Sequence, residues 1–113
     1  MSSLTREELR NVLLEWQSGA LEPKDVLEWA EERYDLEELK DETVIEILTC
    51  LDSLHVNLTT VEDVPVFLQM LDLPFESHKE ALALLERHDD SINLDERKEK
   101  YRTHPFYGVF CND

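Results

Sequence analysis

A chain of 113 residues with 27 acidic and 11 basic side chains, a formal charge of −16, presents phosphates with a repelling field, which excludes nucleic acid and anionic membranes as natural partners. Its 42% apolar content is that of an ordinary globular protein, and one domain of this length buries roughly two-thirds of its unfolded surface without metal or disulfide staples. The partner such a charge favours is a basic protein, and the field speeds association with a positive cleft.

The opening Met1–Glu8 has neither the basic nor the apolar segment of a secretory signal, and no apolar run approaches the roughly 18 residues needed to span a bilayer. We therefore expect a cytoplasmic protein. Cys50 and Cys111 are expected as reduced thiols and not as a disulfide, with Cys50 in an apolar helical stretch and Cys111 exposed near the end.

In chain order, Thr5-Arg6-Glu7-Glu8 reads as a capping box that opens a first helix. Leu9, Val12, Leu13 and Trp16 fall on its inner face, Leu14 projects from the opposite side, and Gly19 is placed as its left-handed cap. Pro23 suits the first position of a second helix running to about Asp35, and the short Ala20–Glu22 link favours an antiparallel hairpin of the two. Asp41 caps a third helix bearing Val44, Ile45, Ile47, Leu48, Leu51 and Leu54, the most apolar segment and the expected centre. His55–Leu58 breaks the pattern. Thr59–Asp63 then supplies a box-like start for a fourth helix, with Pro65 near its first turn and Val64, Phe67, Leu68 and Leu71 inward.

Ser77-His78-Lys79-Glu80 reads as a further capping box, opening a fifth helix with Ala81, Leu82, Leu84 and Leu85 as its apolar side. Asn93 and Glu96 mark a shorter sixth helix with Leu94 and Tyr101 on a charged body, in which Lys98, Lys100 and Arg102 read as a solvated mixed-charge face. The aromatic tail His104–Phe110 lacks helical period and is expected to fold back over an open side. The fold class is thus all-α: a compact single-domain bundle of five to six helices covering residues 1–113, with the aromatic C-terminal tail packed on it.

Catalytic motifs are wanting. There is no Gly-x-Ser-x-Gly elbow, no Walker loop and no nucleophile pattern around Ser18, Cys50 or Ser53. Asp52-x-x-His55 is half of one Glu-x-x-His-like motif where a di-metal bundle needs two, and it reads as a histidine beside an acid. Asp89–Asp95 alternates oxygen ligands like a calcium loop, but Leu94 stands at the glycine position and Lys100 where the bidentate Glu belongs. We expect no enzyme, no metal and no cofactor.

What remains is a recognition surface. Glu22–Glu42 holds ten acids against three bases. At 3.6 residues per turn Val26, Leu27, Ala30 and Tyr34 share one helical face, with Asp25, Glu28, Glu31, Glu32 and Asp35 roughly opposite. Glu28 with Glu32, and Glu31 with Asp35, are like-charge i,i+4 pairs costing about 0.2–0.5 kcal/mol each. Two readings of this face stay open, solvation and partner binding. Trp29 lies at its border, placed as a half-exposed anchor or as core.

The run Leu13-Leu14-Glu15-Trp16-Gln17-Ser18-Gly19-Ala20-Leu21, followed by Val26 and Glu32-Arg33, resembles the opening of small bacterial immunity proteins of the colicin D type. The resemblance covers about the first third of the chain. It implies an acidic helical bundle that plugs the basic active-site cleft of a cognate RNase toxin, with carboxylates standing in for phosphates. The leading expectation is a non-enzymatic acidic interaction protein that contacts a basic partner through Asp25, Glu28, Trp29, Glu31, Glu32 and Asp35. The second is a structural or regulatory subunit that forms a homodimer through apolar surface such as Leu14, Trp29 and Phe106–Phe110.

Overall fold

The structure, a computed structural model, describes residues 5–33 and 41–111. It is helical, with α1 at Arg6–Ser18, α2 at Pro23–Arg33, α3 at Glu42–Asp52, α4 at Leu54–Asn57, α5 at Val64–Asp72, α6 at His78–Ser91, α7 at Leu94–Tyr101 and α8 at Gly108–Cys111. Two 3₁₀ turns, Val61–Asp63 and Phe75–Ser77, lead into α5 and α6. No strand occurs among the described residues, and none of their helices is long and apolar enough to cross a membrane.

Local chemistry sets most helix ends. Thr5 is extended and its hydroxyl accepts from the Glu8 N–H at 3.1 Å, while Asp41 accepts from the N–H groups of Thr43 and Val44 at the start of α3. Gly19 takes φ +90° and returns its N–H to the carbonyls of Glu15 and Trp16, the left-handed cap expected of it. The reciprocal box is made at Thr60–Asp63, with Thr60 N–H donating to the Asp63 carboxylate at 2.9 Å. Ser77 departs from expectation. At φ −94° and ψ 32° it is already turning, so its hydroxyl cannot swing back over the first N–H groups of α6, and its side chain makes no cap.

The centre is shared by α3 and α5, not held by α3 alone. Val44, Ile47, Leu48 and Leu51 of α3 are buried together with Val64, Val66, Phe67, Met70 and Leu71 of α5. Val66 and Met70 join the expected inward positions because α5 is covered on more than one side, by α1, α3 and α6. The expected α1–α2 hairpin is the slighter contact: α1 lies mainly along α5, and α2 mainly along α3. One side chain ties these layers. Arg6 donates to both oxygens of Asp41 and to the carbonyls of Leu71 and Leu73, so the start of α1, the cap of α3 and the end of α5 meet on a single guanidinium.

The tail folds back as expected, though its last residues form the turn of helix α8. Tyr107 is buried and its hydroxyl donates to the Thr59 carbonyl at 2.6 Å; its ring meets those of Tyr101, His104 and Phe106. Gly108 is needed where the tail crosses the end of α7, because a Cβ there would stand 2.5 Å from the Arg102 carbonyl oxygen. Tyr101 sits inward as expected, but Leu94 is 54% exposed. Continuation of α2 to Asp35, with Tyr34 inward, falls outside the described residues, as do the side chains of Phe110 and Cys111. Cys50 is a free thiol.

Gly19→Ala isolates the cost of the left-handed backbone, since nothing lies within 4 Å of the added Cβ. It should destabilise the protein by about 1–2 kcal/mol and lower Tm by several degrees, read by thermal melting with circular dichroism.

Candidate functional site

Helix α2 places Val26 and Ala30 in the core and turns Asp25, Glu28, Glu31 and Glu32 to solvent. The four carboxylates differ in what they do. Asp25 accepts from the Glu22 N–H at 3.0 Å and so helps begin the helix. Glu28, Glu31 and Glu32 form no ion pair among the described residues. Trp29 is half-buried against the core, and the Arg33 guanidinium lies 5.9 Å from its ring centroid, so its indole serves packing and a cation–π contact. Asp35 lies outside the described residues.

A second constellation, absent from the sequence reading, gathers on Asp63. This carboxylate is buried at the end of the Val61–Asp63 turn. His88 Nε2 on α6 lies 2.6 Å from its Oδ1, and Arg97 Nη1 on α7 lies 2.9 Å from Oδ2 and 3.1 Å from Oδ1. Arg97 Nη1 also donates to the Leu58 carbonyl at 3.2 Å. Beside this node Glu62 accepts from the Tyr101 hydroxyl at 3.0 Å and pairs with Lys100 at 3.2 Å. The one local hint was that Arg97 stands four residues before Tyr101, on the stripe that packs inward. Its partner is 34 residues away in the chain, which no local pattern encodes.

Between the end of α6, the start of α7 and this turn lies a cleft of about 450 Å³, lined by Glu62, His88, Asn93, Glu96, Arg97 and Lys100 among others. The stretch that imitates a calcium loop is taken up here: Asp89–Ser91 closes α6, and Asn93 caps α7 by accepting from the Glu96 N–H at 3.1 Å. Asp52 ends α3 and His55 belongs to α4. Among the described residues no three His, Cys, Asp or Glu side chains are grouped as metal ligands.

Burial, reinforced by Glu46, Asp89 and Asp63, pushes the Cys50 thiol from its ordinary 9.0 up to about 12. Burial likewise raises Tyr107 and Tyr101, the latter helped by its bond to Glu62. At Glu62 burial works upward, but the hydrogen bonds from Lys100 and Tyr101 and the charges of Lys100 and Arg97 outweigh it and hold the carboxyl below its usual value. Asp89 is raised by burial, with Asp63 and Asp90 adding to it.

No family model, no curated protein and no solved structure matches this chain. The geometry therefore stands alone as the ground for a functional reading.

Two outcomes follow from the groups around Asp63. Arg97→Met leaves the buried carboxylate without its cation and should cost about 3–5 kcal/mol, whereas adding Asp63→Asn to it should recover part of that loss; urea denaturation of both variants checks this. Cys50 and the two tyrosines favour the folded state only while protonated. Their contribution is complete below the ordinary pKa values of 9.0 and 10.0 and is lost as pH climbs toward the higher folded values, for Cys50 about 12. The urea midpoint should therefore fall steadily above pH 9, and less steeply in Cys50→Ala.

Proposed function

We propose that this chain is a non-enzymatic interaction domain, acting in the cytoplasm, whose acidic α2 face receives a basic protein. In its most concrete form it is an immunity-like inhibitor that fills the substrate cleft of an RNase toxin, its carboxylates occupying the places of phosphates. The observation that carries the reading is the array Glu28, Glu31 and Glu32: three exposed carboxylates on one rigid helix, none engaged by a cation among the described residues. A fold gains nothing from holding like charges one turn apart, whereas a basic partner gains both speed of encounter and register. Asp25 and Trp29 bound the array, one fixing the start of the helix and the other its orientation on the core.

Self-association is the weaker alternative. Part of the apolar surface it requires is already used, with Tyr107 buried and Trp29 and Phe106 half-buried against the core, while Leu14 on α1 and Val109 in the tail stand exposed.

The test compares the wild type with Glu28→Gln/Glu31→Gln/Glu32→Gln as affinity baits at low salt in lysate of the source cell. A basic protein retained by the wild type, eluted by salt and absent from the variant is the expected result. Its association rate with the variant should be about tenfold lower or less at low salt, and the salt dependence flatter, with the melting curve intact. Equal retention and equal kinetics for the two baits would remove the α2 face from the binding surface.

A further inference from the structure

The α6–α7 cleft takes no residue from α2, so the interaction reading leaves it without a role. Its volume of about 450 Å³ falls within the roughly 300–1,000 Å³ usual for small-molecule sites, and its charged and amide-bearing walls suit a hydrophilic ligand. Arg97 is the group that defines it. The side chain is only 9% exposed, and all its bonds run through one nitrogen: Nη1 serves both Asp63 oxygens and the Leu58 carbonyl. Nε and Nη2 have no partner among the described residues. A guanidinium presents those two N–H groups side by side, in the spacing of the two oxygens of a carboxylate, and holding the side chain on Asp63 removes the entropy cost of orienting it.

Local charge then decides what the carboxylate belongs to. Glu62 and Glu96 line the cleft beside Arg97 and Lys100, and Asp63 behind Arg97 tips the balance to one negative charge in a chain of −16. A bare anion is opposed by this field. A molecule that brings its own ammonium group is not, because Glu96 and Glu62 can receive it while Arg97 takes the carboxylate. We infer that the cleft binds a free α-amino acid, with its carboxylate on the open edge of Arg97 and its ammonium on the Glu96 and Glu62 side. The inference does not rest on the α2 reading, and either can fail without the other.

The experiment is an amide-resolved NMR titration of the full chain with each of the twenty L-amino acids in turn, and with acetate and methylamine as the two halves of the ligand. At least one amino acid should move the amides of residues 91–100 saturably with Kd of about 1 mM or tighter, and acetate and methylamine should bind about tenfold more weakly. Glu96 is exposed, so Glu96→Gln keeps the fold and should weaken the amino acid about two- to fivefold. Absence of saturating shifts from every amino acid at about 10 mM overturns the inference. Acetate binding as well as the amino acid reduces the cleft to an anion site, and methylamine binding as well reduces it to an acidic cation site; either result also overturns it.

Discussion

The buried carboxylate of Asp63 is the constraint to which the C-terminal half of the molecule is fitted. Taken from water alone, such a charge costs several kcal/mol, so it is tolerated only where every lone pair finds a donor. Here Thr60 N–H, His88 and Arg97 supply them, from the turn before α5, from α6 and from α7. The return is arrangement more than net stability: only an α7 that delivers Arg97 to this point leaves no charge bare. The backbone next to it is bent to the same end. Leu58 adopts φ 56°, a left-handed conformation that costs a residue with a Cβ about 1–2 kcal/mol. It is held there because its N–H closes α4 on Leu54, its side chain is buried and its carbonyl receives Arg97.

The same segment carries the tail. Thr59 offers its carbonyl to the Tyr107 hydroxyl, and Glu62 takes the Tyr101 hydroxyl and Lys100. Residues 58–63 are therefore a largely polar spine, with Leu58 buried, to which α7 and the aromatic tail are attached by side chains, while the apolar core lies chiefly on α1, α3 and α5. This division explains a helix as polar as α7. What it turns inward is one guanidinium and one partly buried phenol ring, not a stripe of leucines, and its apolar Leu94 is left in solvent.

The all-α class, the starts of α1, α3 and α7, the left-handed end of α1 and most core positions were legible because each depends on residues within one or two turns: a hydroxyl or carboxylate near free N–H groups, a glycine, a 3.6-residue period. What was not legible was non-local. Ser77 has a capping neighbourhood but lies in a 3₁₀ turn that follows Pro74, so its backbone is not in the extended conformation a cap needs. Lys100 looked like part of a solvated mixed-charge face, and Arg97 drew no reading at all, because the carboxylates they reach, Glu62 and Asp63, are remote in sequence. The α2 carboxylates were legible as a face, since helical period alone turns them outward; their chemistry toward another molecule is not a property of period at all.

Charge acts on the two surfaces in different ways. On the interaction reading proposed above, the α2 face acts through the summed field of an exposed array, which is screened beyond about 8 Å at physiological ionic strength. The cleft works through groups at contact, one of them nearly buried, where solvent screening is weaker and geometry sets the outcome. On these two proposals, an excess of acid that would speed encounter with a basic partner at one surface acts at the other as a filter, admitting a carboxylate only when an ammonium group accompanies it. The two demands are compatible because Arg97 is held by Asp63 in a position where its charge is offset locally but its open edge is not.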